Sequence, residues 1–188
     1  MLQAAQPEWM LRAAAYARQR PIFIATCLAA TVVLLAALAL SRPDGRLHLW
    51  LLDMGHQHAV LMQTPAGVQV LIDGGRFPSR LLLALGDRLP FHDRTLDVVI
   101  LTQPDEFDYA ALPEILRRYS PGIILTNGQD NPGRAYTMLR SAWGDTPTQA
   151  LVAGNRVQLD EHTWLDVLHP LTSPRITDRL NDQSLILR

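Results

Sequence analysis

Lysine is absent from this chain, and all seventeen basic residues are arginine. Set against eighteen acidic residues, they leave a formal net charge of −1. No basic excess therefore argues for tight electrostatic binding of nucleic acid. Cysteine occurs once, as Cys27 inside an apolar run, which excludes a disulfide framework and a cysteine zinc site. No serine stands in a Gly-x-Ser-x-Gly setting, so a serine nucleophile on a strand-to-helix elbow has no candidate. Internal repeats and low-complexity segments are also missing. What is present is 188 residues, 48% of them hydrophobic, enough for one packed domain and one additional element.

The additional element is an uncharged stretch. From Ile22 to Leu40 the only polar side chains are Thr26 and Thr31. A run of about 20 apolar residues matches the hydrocarbon core of a bilayer, and no polar face remains for a buried soluble helix. The run is longer than a signal-peptide core and starts further into the chain. A single transmembrane helix over 21–41 is therefore expected, preceded by an interfacial segment over 1–20 that contains Trp9, Tyr16 and three arginines. Three arginines before the run against two just after it, Arg42 and Arg46, lean towards a cytoplasmic N-terminus. The expected localisation is the cell membrane, single-pass, with the soluble part extracytoplasmic.

Ser41-Arg42-Pro43-Asp44-Gly45 is rich in turn formers and marks the boundary. The domain then occupies 46–188. Alternation over Leu47 to Leu52, resumption over Ala59 to Thr64 and the run Val68 to Ile72 predict three strands with short turns, an antiparallel opening. Helices are expected after Pro78, over 109–119 and near 132–142, with strands at 96–102 and 121–125 between them. The end returns to strands near 156–159, 163–169 and 184–188. The class is α/β.

Chemistry concentrates in Leu101-Thr102-Gln103-Pro104-Asp105-Glu106-Phe107-Asp108-Tyr109, a strand-to-helix loop of the kind where α/β proteins place their sites. Asp105 and Asp108 offer carboxylates three residues apart. They suit a hard cation, or they complement the dipole of the helix that follows. Asp73-Gly74-Gly75 ends a strand and reads as a turn or as an orienting group beside a metal. His56 and His58 share a face if the strand continues, as a ligand pair or as exposed turn residues. His169 before Pro170 is a strand-end residue that could line a site. Arg117-Arg118 reads as an exposed helix end that could touch phosphate. His48, His92 and His162 have no partners in the sequence pattern.

Several segments carry a family likeness. Leu51-Leu52-Asp53-Met54-Gly55-His56-Gln57-His58-Ala59-Val60-Leu61 resembles the "LDVGQGDAILI" opening of the metallo-β-lactamase-like domain of ComEC-type competence proteins. Thr64 to Gly67, Leu71 to Gly75, Leu96 to Thr102, Leu112 to Leu116, Val167 to Pro170 and Asn181 to Arg188 follow in the family's order. The resemblance covers about 46–188. It implies an αββα metallo-β-lactamase-like fold, incomplete here, preceded by one transmembrane helix. It further implies a membrane setting, single-stranded DNA and competence-channel proteins as partners, and a metal-dependent nuclease activity on the strand left outside.

The metal motif departs from the family. Its H-x-H-x-D-H becomes Gln103, Asp105, Phe107 and Asp108 in this chain. Phenylalanine supplies no lone pair, and a glutamine amide is a poor stand-in for imidazole. The aspartate of the opening turn is His58 here. One reading is thus a non-catalytic, membrane-anchored domain with a structural or partner-binding role and no cofactor. The other is a rewired phosphodiesterase holding Zn²⁺ or Mn²⁺ through His58, Asp73, Asp105 and Asp108, with His169 lining the site.

Overall fold

A computed structural model describes residues 23–36, 43–55, 57–175 and 179–188. The chain divides into two compact units, Met1–Arg42 and Pro43–Arg188. In the first, a helix α1 covers 23–36, and every residue in it is exposed. The expected span over 21–41 extends past α1 at both ends. Those extra residues, and the segment 1–20, lie outside the described residues. Among the described residues no helix is long and apolar enough to cross a membrane.

The second unit is built on a six-stranded sheet whose spatial order equals its chain order. Strands β1 (His48–Asp53), β2 (His58–Gln63) and β3 (Gln69–Ile72) pair antiparallel, as the short turns require. Strands β4 (Thr95–Leu101), β5 (Ser120–Thr126) and β6 (Thr148–Ala150) then add in parallel. Helices supply the crossovers: α2 (Pro78–Gly86), the short α3 (Glu106–Tyr109) and α4 (Leu112–Leu116), and α5 (Arg134–Trp143). A second sheet of β7 (Arg156–Gln158), β8 (Trp164–His169) and β9 (Ile186–Leu187) completes the described fold.

Neighbouring residues of the central strands face opposite ways, and each face has its own core. Leu71, Val99, Leu101 and Ile124 pack with Leu81, Leu85, Leu112, Ile115, Leu139 and Trp143 of the helices. Val70, Val98, Ile100 and Leu125 pack with Val167 of the second sheet and with Leu185, just before β9. This two-sided burial explains why β3 to β5 read as continuous apolar runs and not as alternating ones. The layers are helix, sheet, sheet. Of the αββα arrangement, the second helical layer is absent among the described residues.

Three details differ from the sequence expectation. The helix expected over 109–119 starts at Glu106, because the Asp105 side chain accepts from the Phe107 amide and caps it. It then breaks, since the Ala111 amide bonds the Gly75 carbonyl and Pro113 restarts a helix as α4. β6 went unrecognised because its three residues are all exposed and carry no apolar pattern.

Candidate functional site

The site sits where β3 and β4, parallel neighbours, end side by side. Asp73 follows β3 in the left-handed region, at φ 56°. Its carboxylate accepts from the Thr102 amide at 2.9 Å and from the Thr102 hydroxyl at 2.7 Å. The next two amides, of Gly74 and Gly75, both donate to the Asp108 carbonyl, at 2.7 and 2.8 Å. Gly74 has no room for a side chain, because a Cβ there would stand 2.7 Å from Leu112. The Asp-Gly-Gly turn thus fixes the loop after β4 through the Asp73 carboxylate and two backbone amides.

Gln103 occupies the centre. Its Nε2 donates to Asp108 Oδ2 at 2.6 Å, and its Oε1 accepts from the Ser184 hydroxyl at 2.5 Å. The Ser184 carbonyl lies 3.0 Å from His169 Nδ1, and the Leu185 amide donates to the Thr102 carbonyl at 2.9 Å. One amide side chain therefore joins the loop after β4 to the second sheet. Asn127 Nδ2 donates to the Gln183 carbonyl and Asn131 Nδ2 to the Pro104 carbonyl, which adds further ties across the same end.

Burial dominates the electrostatics. It pushes the Asp73 carboxyl up to about 7, with the nearby charge of Asp108 adding to the rise and the two Thr102 hydrogen bonds opposing it. Asp108 is also raised by burial and by the charge of Asp105, against the hydrogen bond from Gln103. Both carboxyls lean towards their neutral forms, in keeping with general desolvation behaviour.

Asp105 caps α3, and Phe107 is 48% exposed with the Arg76 guanidinium 5.3 Å above its ring. Phe107 and Arg76 border an open cleft of about 280 Å³, which Gln57 and Phe77 also line. His58 is exposed at the start of β2, paired across the ladder with Asp53. His56 lies outside the described residues. The exposed pair Arg117 and Arg118 is bound to Glu114 on its own helix.

A metal centre needs several imidazole, thiolate or carboxylate donors aimed at one point. Among the described residues, no group of three or more His, Cys, Asp and Glu is placed to hold an ion. Asp73 is committed to Thr102, Asp105 to its helix and Asp108 to Gln103. The residues present do not fit the metal set that the resemblance implies. Asp73 and Asp108 come together, and His169 reaches the same end through Ser184.

Sequence reasoning passed over Ser184 and Arg76. Ser184 lies 81 residues from Gln103, so no local spacing could join them. Replacing Gln103 with alanine removes the donor to the half-buried Asp108 carboxylate and is expected to cost about 1–3 kcal/mol. The check is a lower urea midpoint at unchanged slope. An unmoved midpoint would mean that the amide ties nothing together.

No family model and no curated protein matches the chain. Among solved structures, similarity extends to rubredoxin oxygen:oxidoreductase from Desulfovibrio gigas, with 18% identity, 59% of this chain and 26% of that chain covered, and a TM-score of 0.44. The Flv1 flavodiiron core from Synechocystis aligns at 21% identity over 59% of this chain and 27% of its own, with a TM-score of 0.42. A subclass B3 metallo-β-lactamase, MEM-A1 from a soil metagenome library, aligns at 19% identity over 60% and 46%, with a TM-score of 0.41. The chain thus spans about a quarter of the length of the first two.

Proposed function

We propose that this chain is a metallo-β-lactamase-like domain of the ComEC type, anchored to the membrane by the apolar run over 21–41, that no longer hydrolyses nucleic acid. Its role is to shape or brace the extracytoplasmic mouth of a DNA-uptake channel, or to contact a protein there. The ordered sequence segments and the helix-sheet-sheet layering support the family reading. The Asp73 turn supports it too, since it keeps its bonds to Thr102. One observation carries the non-catalytic part. Gln103 stands at the first position of the metal motif and spends both amide atoms on Asp108 and Ser184. A hydrogen-bonded clasp takes up the donors that a metal would require.

The test is metal content. The full chain, purified in detergent and confirmed folded by circular dichroism, is incubated with Zn²⁺, Mn²⁺ or Mg²⁺, freed of excess ion and measured by elemental mass spectrometry. No retained ion is expected. Retention of about one ion per chain, lost on Asp108→Ala, would overturn the non-catalytic reading and favour the rewired metal site that uses Asp73, Asp105, Asp108 and His58.

A further inference from the structure

We propose that β1 is a self-pairing edge through which two copies of this chain join their six-stranded sheets. The inference is independent of the metal question and goes beyond the role proposed above. An edge strand presents unpaired backbone donors and acceptors, and monomeric proteins blunt such edges by keeping them short, charged or interrupted by proline. The two edges of this sheet differ in that respect. β6 has three residues, Thr148 to Ala150, and directly follows Pro147. β1 has six residues in unbroken register with β2 and contains no proline. Along its exposed face Leu49 and Leu51, with Leu47 just before the strand, are exposed at 58%, 72% and 55%, and only the last residue, Asp53, is charged.

The side-chain order specifies a second copy as the occupant. Leu47-His48-Leu49-Trp50-Leu51 is nearly symmetric about Leu49. When two such strands run antiparallel about that point, Leu49 faces the partner's Leu49 and Leu47 faces the partner's Leu51. On the opposite face, His48 meets the partner's Trp50, extending the stack that His48 and Trp50 already make at 5.2 Å and 6°. A two-fold axis perpendicular to the sheet keeps each face with its like, as an isologous interface requires. Arg46 then faces the partner's Leu52 and Asp53 the partner's Gly45, so no like charges face each other. A centre at Trp50 would set Leu47 against the partner's Asp53. A centre at His48 would set Leu51 against the partner's Gly45. Only the Leu49 centre gives every exposed leucine an apolar neighbour.

The experiment uses the full chain in detergent micelles, with Cys27→Ser as background. Facing residues of an antiparallel pair have Cα atoms about 4.5–5.5 Å apart, inside the range of a disulfide. In the proposed register, Leu51 and its own copy are offset by four residues, about 13 Å. Oxidation is therefore expected to cross-link Leu49→Cys to a dimer and to leave Leu51→Cys largely uncoupled. Sedimentation at matched detergent density should give the mass of two chains for the wild type. For Leu49→Lys, and for Leu51→Glu as a second exposed variant, it should give the mass of one chain with an unchanged circular dichroism spectrum. A monomeric wild type would overturn the proposal. So would equal cross-linking at positions 49 and 51, or a charged variant that remains dimeric.

Discussion

Replacing Gly75 with alanine is expected to destabilise the domain by about 3 kcal/mol, the sum of a left-handed backbone penalty and an overpacking cost. Gly75 has φ +66°, and a Cβ there would stand 2.7 Å from the Cβ of Met54, itself only 2% exposed. That atom is fixed to the backbone and cannot swing aside. The residue cannot shift freely either, because its amide donates to the Asp108 carbonyl and its own carbonyl accepts from Ala111. Gly74→Ala is the control. Its φ is not in the left-handed region, so it carries the overpacking against buried Leu112, at 2.7 Å, without the backbone penalty. Urea denaturation of both variants should show the larger loss at Gly75. A smaller loss there than at Gly74 would mean that the turn is not held as described.

The second large effect is on pH dependence, and it runs against the usual acid lability of carboxylates. Asp73 has a carboxyl raised from 3.8 to about 7 in the folded protein. Between those values the folded state holds a proton that the unfolded chain has released. Protons therefore favour folding, and this contribution is full below about pH 4 and lost as the pH rises through 7. At one pKa unit per 1.36 kcal/mol, a rise of about three units corresponds to at most about 4 kcal/mol. Melting temperature is expected to climb as the pH falls from 8 to 5. Below that the trend reverses, as Asp93 and Asp160, whose carboxyls are held low mainly by hydrogen bonds from Thr95 and Gln69 and from Thr64, lose those contacts. Asp73→Asn keeps the shape and the bond from the Thr102 amide without the charge, its Nδ2 now donating to the Thr102 hydroxyl oxygen. It should be more stable than the wild type at pH 8, with a flatter profile between 5 and 8. A wild-type profile that is already flat in that window would show that Asp73 ionises normally.

Most of the strand framework was legible because its causes are local. Alternation marked β1, and unbroken runs marked β3 to β5, which are buried on both faces. Thr64 to Gly67 closes a turn through the Gly67 amide and the Thr64 carbonyl. The strand-to-helix loop was located only in part, since Asp105 caps a helix that begins at Glu106, inside the stretch read as loop. What sequence spacing could not give was the coupling between distant pieces. Ala111 turns from its helix to Gly75, and Ser184 reaches Gln103. Both depend on where β3, β4 and the second sheet end in space, which no window of neighbouring residues encodes. The same is true of the raised carboxyl of Asp73. Its cause is burial of the carboxyl, with the charge of Asp108 adding to it, and not any residue beside it in the chain.

The order of the large sheet has a consequence for how the domain is made. Each strand from β2 to β6 pairs with the strand immediately before it in the sequence, so the sheet can lengthen along one side during synthesis. No later strand has to wedge between two earlier ones, which keeps loop-closure costs low at every step. The exception comes at the end, where the Leu185 amide returns to the Thr102 carbonyl and Ser184 returns to Gln103. Until the ribosome has released that stretch, the face formed by Val70, Val98, Ile100 and Leu125 is incompletely covered. A nascent chain stalled before Ser184 should therefore be recognised by chaperones that bind apolar surface, and recognition should fall once Ser184 and Leu185 have emerged and docked.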